Sequence, residues 1–488
     1  MKKKVLLSAS LLMATSLAFA GGLLTNTNQN ASFLRNPSRN AVIAIDGVYS
    51  NPAGIAFLPE GFHMSLSWQG AWQKRQITST MPLYQLGTMN NGASTKTFEG
   101  VSKAPVIPSI QAAYVFNDKW SVSAQFAVGG GGGKCEFAEG LPMFEKLVAA
   151  QMANTIAPGK PYSMTQNLIG EQYFYGIQVG GTYKIMEHLS VFGGLRAVIA
   201  NCGYTGAITG IAVDGNNAAY YSALSEQAAA GAAQAAAGAQ AAAAAGNAQL
   251  AAQLAAKAEA LKSGAVQAGT AAAMMGDYKL DCSQSGFGIT PILGINFNYG
   301  KWNLAAKYEF RTKINLENES NNSANLAALA SQFPAVAVYA DGVKVRSDIP
   351  AVLAMGAQYS VLPSLRLNLG YNQYFDKKAQ GAATAVSKNT FELNFGAEWD
   401  ITDRILFSAG VQRTQYGFED TDMTDTNFNI SSTAVCVGGA YKFSEKVKLN
   451  IGYMHSFYGD HLVEGVSGMQ DLYTRKNDVI GASVDFKF

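Results

Sequence analysis

From residue 62 onward, apolar and polar residues alternate with a period of two, in one segment after another. In the last segment Phe486, Val484, Ala482 and Ile480 share one parity, and Lys487, Asp485, Ser483 and Gly481 the other. This period describes a strand with one face for hydrocarbon and one for water. A half-buried strand of a soluble sheet looks the same, so repetition carries the argument. The alternating segments are Phe62–Ile77, Ile107–Phe116, Trp120–Val128, Gln172–Ile185, Leu189–Asn201, Gln284–Tyr299, Trp302–Leu316, Pro350–Ser360, Leu365–Phe375, Thr390–Trp399, Arg404–Tyr416, Ser431–Phe443, Val447–Phe457 and Lys476–Phe488. In hydrocarbon no backbone group can go unpaired, so strands span a membrane only as a closed barrel. The expected fold is all-β: a 14-stranded antiparallel transmembrane barrel over residues 62–488.

The connections follow a rule of their own. Those after the even strands are short, for example Asn117-Asp118-Lys119 and Gly300-Lys301, and those after the odd strands are long. Short turns on the periplasmic side and long loops outside are the habit of outer-membrane barrels. Strand 7 is the clearest member. Trp302, Leu304, Ala306, Tyr308, Phe310, Ile314 and Leu316 share a face expected to meet lipid; Asn303, Lys307, Glu309, Arg311, Lys313 and Asn315 share the other. So many charges require a wet or ion-paired interior, and Arg366, Glu392, Glu398 and Lys448 are expected to point inward as well. Trp120, Trp302 and Trp399 sit beside short turns, where an aromatic girdle belongs. Pro291 falls inside strand 6, where a missing donor predicts a bulge or break. Strand 3 runs into Gly129, Gly130, Gly131, Gly132 and Gly133, read either as a flexible loop root or as a kink that opens the wall.

Lys2 to Lys4, the apolar run Val5 to Ala18 and the small-x-small triplet Ala18-Phe19-Ala20 read as a signal peptide over residues 1–20, cleaved near Ala20/Gly21. Residues 21–61 are rich in asparagine but contain Ala41 to Ile45 and Ile55 to Leu58, too apolar for water, so a packed plug inside the barrel is expected. The 36 basic residues less the three leader lysines leave 33 against 34 acidic, which gives no case for nucleic acid. Hydrophobic residues are 48% and charged ones 14%, without a later run long enough for a membrane helix. Cys202 and Cys282 flank the longest insertion, residues 203–282; a disulfide across its base and two free thiols are both open readings. From Ala223 to Ala273 this insertion is alanine-dominated and helical in pattern, with Leu250, Leu254 and Leu261 on one stripe and with Gly231, Gly238 and Gly246 expected to break it. Leu326, Leu329 and Phe333, in the loop after strand 7, also fall at helical spacing and mark a candidate ligand groove.

With the plug, the element Asn51-Pro52-Ala53, fourteen strands and the glycine break in strand 3, the mature chain resembles the FadL/TodX family of outer-membrane transport proteins. The resemblance implies a passive transporter of hydrophobic small molecules, long-chain fatty acids being the family default. It implies capture by the loops after strands 5 and 7 and lateral release into outer-membrane lipid at the strand-3 kink. Asn51, Pro52 and Ala53 would face that kink. It also implies a hydrophobic ligand as partner, no cofactor or metal, and a monomer. The alanine-rich insertion departs from the family's usual loop. An enzyme is disfavoured: among four histidines only His455-Ser456 pairs a base with a nucleophile, and strand neighbours point to opposite faces. An adhesin acting through the long loops, or a general porin, are the alternative readings.

Overall fold

The alternating segments join into one antiparallel sheet that closes on itself. Fourteen strands span it: β1 Gly61–Thr80, β2 Thr95–Val115, β3 Trp120–Phe137, β4 Tyr162–Met186, β5 Leu189–Val213, β6 Tyr278–Tyr299, β7 Trp302–Glu309, β8 Val352–Leu362, β9 Leu365–Tyr374, β10 Phe391–Asp400, β11 Ile405–Gln415, β12 Ser432–Ser444, β13 Val447–Tyr458 and β14 Gln470–Lys487. Short pieces lengthen the sheet at the long-loop end, among them Asn315–Ser320 above β7 and Lys344–Arg346 before β8. β1 and β14 pair without a break from His63↔Lys487 to Thr80↔Gln470, which removes both sheet edges. The computed structural model describes residues 22–332 and 334–488, so the expected leader and Phe333 lie outside the described residues. No described helix is long and apolar enough to cross a membrane.

Several strands outrun their sequence pattern at the long-loop end. β2 starts at Thr95 rather than Ile107, and β5 runs to Val213 rather than Asn201. The insertion expected over 203–282 therefore narrows to 214–277. In these extensions the two faces exchange character. Nearer the short turns Leu66 and Trp68 of β1 face out while Ser65, Ser67 and Gln69 are buried inward; nearer the long loops Lys74, Gln76 and Thr78 face out and Ile77 is buried. On β4, Gln178 and Thr182 face the lumen low down, and Tyr162, Met164 and Leu168 face it high up.

β7 makes this exchange through a break at residues 310–314. Lys307 and Glu309 are buried inward, but beyond the break Ile314 and Leu316 are the inward residues, at 0% and 3% exposure, while Lys313 and Asn315 face out. The expectation of one parity from Trp302 to Leu316 therefore fails above Phe310. Pro291 supplies the cause. Its carbonyl accepts from Phe310 N at 3.0 Å, just past the last β6–β7 register pair, Ile292↔Glu309. Pairing resumes only at Ser285↔Glu317. A proline offers no N–H to continue that ladder. The break expected at Pro291 lies on the strand beside it, while the β5–β6 register runs straight through Leu195↔Pro291.

Residues 22–59 occupy the lumen of the lower half. Their asparagines close turns that a buried segment has no water to close. Asn30 caps α1 (Ala31–Arg35) by accepting from Ser32 N at 2.9 Å, and Asn36 Oδ1 accepts from Ser38 N at 3.0 Å. Asn51 Oδ1 accepts from Gly54 N at 3.2 Å, after the short helix α2 (Gly47–Ser50). The segment also answers the inward charges of the wall. Glu398 Oε1 takes Arg35 at 2.7 Å and Arg39 at 2.8 Å, and Arg39 also binds Asp46 at 2.6 Å. Arg196 and Lys307 share Glu309, each at 2.6 Å. Buried charges are tolerated only when paired in this way.

Outside, α3 (Pro142–Gln151) follows β3, and α4 (Ala218–Ala244) and α5 (Ala248–Met274) form an antiparallel hairpin after β5. Gly231 and Gly238 do not break α4. An added Cβ at Gly231 would lie 3.3 Å from Leu261, and one at Gly238 3.2 Å from Leu254, so the glycines are sockets for the leucine stripe of α5. Only Gly246, at φ 74°, interrupts the helix, in the tip turn. The next loop carries α6 (Ala324–Gln332).

Candidate functional site

The wall is open between β2 and β3. Their pairing runs from Val115↔Ser121 to Ile110↔Phe126, then resumes only at Val101↔Glu136, leaving residues 102–109 and 127–135 without each other. Pro105 and Pro108 fall in this stretch of β2, where an unpaired edge tolerates a residue that cannot donate. β3 bends inward there and takes its partners from the lumenal segment. Asn26 N donates to Gly129 O at 3.1 Å and Gly131 N to Leu24 O at 3.2 Å, with Thr25 bridged to Gly130. Val128 N donates to Gln29 Oε1 at 3.0 Å.

Glycine is required for this path. Gly131 and Gly133 have φ of 80° and 72°, where a side chain is strained. A Cβ on Gly130 would stand 2.4 Å from Leu24 O, and one on Gly131 2.5 Å from Gln172 O. Gly129 differs: an added Cβ there would meet nothing nearer than Phe174 O at 3.9 Å. The β3–β4 register shifts twice within the run, between Val128 and Gly130 and between Gly130 and Gly133.

Above the gap the lumen is apolar. A continuous buried cluster gathers Leu24 from the lumenal segment, Ile77, Phe98, Phe137, Leu168 and Tyr204 from the wall, and Phe144 and Val148 from α3. Within it Arg75 and Arg475 stand directly opposite each other across the β1–β14 seam. Arg75 donates to Phe428 O at 2.8 Å and lies 4.2 Å over the Phe428 ring; Arg475 donates to Asn429 Oδ1 at 2.6 Å. Two guanidinium groups thus stand together beside an apolar lining.

On the outer side Leu326 and Leu329 of α6 are buried against Phe144, Leu147 and Val148 of α3 and Leu280 of β6, forming an apolar cleft. Two of the three expected groove residues thus come together, and α3 supplies a wall that the sequence pattern did not indicate. Asn51, Pro52 and Ala53 do not face the kink. Asn51 Nδ2 donates to Asn296 at 2.7 Å, and Pro52 O and Ala53 O accept from Thr182 at 3.0 Å and Ser190 at 2.6 Å. They seat the segment on β4–β6, and Leu24 to Asn26 with Gln29 stand at the kink instead. Cys202 and Cys282 are both free and buried, so the disulfide considered from the sequence is not formed. Cys202 opposes Gln284 and Cys282 opposes Tyr204, one diagonal step apart. Arg75 was open to detection, since it shares the inward parity of Gln73 and Ile77; Arg475 precedes the expected start of the last strand by one residue.

Asp425, in the loop after β11, binds Met143 N at 2.7 Å beside the start of α3. Burial, with the charge of Asp471 nearby, pushes its carboxyl up to about 6. Among the described residues no cluster of His, Cys, Asp and Glu is placed to hold a metal ion.

No family model and no curated protein matches the chain. Among solved structures it is similar to a FadL homologue of Pseudomonas aeruginosa, at 12% identity and TM-score 0.62, with 96% of this chain and 100% of that one covered. It is similar to the P. putida toluene transporter TodX at 13% identity and TM-score 0.52, covering 91% and 94%. The Ralstonia pickettii toluene transporter TbuX aligns at 12% identity and TM-score 0.51, covering 94% and 99%. At such identities the likeness is one of fold, and the fold is the plugged FadL/TodX-type barrel.

Proposed function

We propose that this chain, on a FadL/TodX-type barrel, is a passive outer-membrane transporter of hydrophobic small molecules. Ligand is captured at the α3–α6 cleft, passes into the apolar chamber and leaves sideways through the β2–β3 gap. The observation that carries this reading is where the gap lies, at the height where an apolar interior gives way to an apolar exterior. Trp72 of β1 is the last outward aromatic before Lys74, and its register partner on β2 is Lys103, at the upper end of the unpaired stretch. A hydrocarbon gains about 0.8 kcal/mol per buried CH2, so a path downward through the charged lumen would cost it that gain at every methylene. The sideways path keeps it in apolar surroundings. The filled lower lumen argues against a general porin.

Long-chain fatty acids are the substrate favoured, because two guanidinium groups stand side by side against an apolar lining, the pairing of charge and hydrocarbon surface that suits an anionic head group on an alkyl tail. The toluene transporters among the structural neighbours motivate a second reading, an aromatic hydrocarbon, which has no charge for the arginines to meet. Uptake of radiolabelled oleate and of toluene decides between them, in cells lacking their own transporter and expressing the chain, its Gly131→Val variant or its Arg75→Gln variant. Fatty-acid transport requires oleate uptake that drops at least tenfold in both variants while both still assemble as folded barrels. Toluene uptake untouched by Arg75→Gln, without oleate uptake, would transfer the function to hydrocarbons. Undiminished uptake in Gly131→Val would remove the lateral route.

A further inference from the structure

Two lysines face each other across the place where the ladder of the wall fails. Downward from the long loops, pairing of β2 with β3 stops at Val101↔Glu136; one more step on the same face would set Lys103 opposite Lys134, and both side chains are exposed on the outside. Like charges placed directly opposite work against pairing, so this step is disfavoured by the sequence itself. Around the two lysines lies a hollow of about 670 Å³ on the outer surface, which Glu99 of β2, Glu136 of β3 and Glu139 also line.

The charges of this hollow are sorted by height. Lys103 and Lys134 lie at its lower end, beside the unpaired stretch; Glu136 stands one outward position above Lys134, Glu99 two above Lys103, and Glu139 past the end of β3. Glu99 is already held by Lys74 at 2.6 Å and Gln76 at 3.1 Å. Lys134 shares a half-exposed pair with Glu171 at 3.3 Å, a weak competitor for a second anion. Among the described residues Lys103, Glu136 and Glu139 have no ion pair or side-chain hydrogen bond. Below the lysines the outer surface turns apolar: Trp72, the register partner of Lys103, is 41% exposed, and Val106 and Ile110 are 68% and 44% exposed.

An occupant that matches this surface is apolar at its lower end, negative at the level of the lysines and positive further out. We propose that the hollow seats the head group of a zwitterionic phospholipid of the outer leaflet, phosphatidylethanolamine in kind. Its phosphate bridges Lys103 and Lys134 through charge-assisted hydrogen bonds, its ammonium group reaches Glu136 and Glu139, and its chains lie over Trp72, Val106 and Ile110 beside the gap. A purely anionic head group would set negative charge against the two carboxylates, and inorganic phosphate would leave the apolar shelf uncovered. The seat depends on the membrane boundary drawn above and not on transport, so lipid binding and uptake are read separately.

Native mass spectrometry of the intact barrel in detergent, with dioleoyl phosphatidylethanolamine or dioleoyl phosphatidylglycerol added, tests it. The unaltered protein should retain phosphatidylethanolamine about fivefold more than phosphatidylglycerol, and Lys103→Gln/Lys134→Gln should lower that retention by about fivefold or more. Glu136→Gln/Glu139→Gln should bring the two lipids level, because only the ammonium group meets those carboxylates. All four positions are exposed, so the substitutions empty no core. Lys313→Gln, on the outer face above β7, is the control and should change neither lipid. Equal retention of the two lipids by the unaltered protein, or retention unmoved by the lysine substitutions, overturns the seat. A loss as large in Lys313→Gln also overturns it, since it would show only diffuse attraction to surface charge. Selective retention that follows the expected pattern in a barrel taking up neither oleate nor toluene keeps the seat and removes transport instead.

Discussion

The lower and upper halves of the barrel wall use one alternation with its sides exchanged. Below the switch, hydrocarbon-facing Leu66, Trp68, Ile177 and Phe287 back onto a lumen of serine, glutamine and paired charge; above it Gln76, Asn201 and Ser285 face out and the lumen is lined by Ile77, Phe98 and Leu168. The switch keeps one height around neighbouring strands. Ile199, Phe287 and Tyr175 are in register as the last apolar outward level, and Asn201, Ser285 and Tyr173 form the next. Period two dictates that a strand has two faces and leaves open which of them is wet. The surroundings decide that: membrane outside and a polar segment inside below, water outside and apolar loops folding inward above.

The sharpest way to break this comparison is at the β2–β3 gap, where the wall's pairing lapses between the two halves. Valine at Gly131 must leave a φ of 80° and avoid Gln172 O, so it should cut uptake at least tenfold while the barrel still migrates as a folded, heat-modifiable species on gels. Next in size is the lower interior. Glu398→Leu strands Arg35 and Arg39 without their shared carboxylate, and a cost of about 3–5 kcal/mol should appear in urea unfolding from lipid vesicles. The same leucine substitution at Gln76, on the outside of the upper half, should change almost nothing. The membrane boundary is sharpened by lysine scanning along the outer face. Ile177→Lys, inside the apolar band, should cost about 2–4 kcal/mol and Gln76→Lys less than about 1; equal costs at both would mean that the band has been placed at the wrong height.

The smallest effect is a pH dependence confined to the upper half. Asp425 has a native pKa of about 6, above the ordinary carboxylate value, so its burial penalty is full at neutral pH. As pH falls through about 6 the native state takes up the proton more readily than the unfolded one, and stability rises. Loop protection by hydrogen exchange around α3 should therefore be greater at pH 5 than at pH 7.5, and Asp425→Asn should abolish the difference.

Strand number, the alternation of short turns and long loops, and the inward charges at Glu398, Lys307 and Glu309 were legible because each depends on local periodicity. The partners of those charges were not. Arg35 lies 363 residues from Glu398 in sequence, and nothing local connects them. The parity slip of β7 was hidden because Ile314 and Leu316 continue an unbroken-looking alternation, and only the missing donor of Pro291 on the adjacent strand shows where it stops. The glycine run left a loop root and a kink both open, and the residues that meet it, Leu24 to Asn26, carry no signature beyond belonging to a segment too apolar for water. Gly231 and Gly238 misled for a related reason. A glycine in an isolated helix is a weakness, and one beneath a facing leucine is a contact.

The seam between β1 and β14 has a consequence for how the molecule is made. Its register pairs join residues some four hundred positions apart, among the most distant contacts a single chain can form, and pairings of that separation come last in folding. The lumenal segment binds both sides of that seam, through Asn30 to Ser65 at 2.8 Å and from Ser483 to Asn30 at 3.1 Å. The segment therefore ties the first and last strands together from inside, so the most distant contacts of the wall and the seating of the segment share hydrogen bonds and reinforce each other.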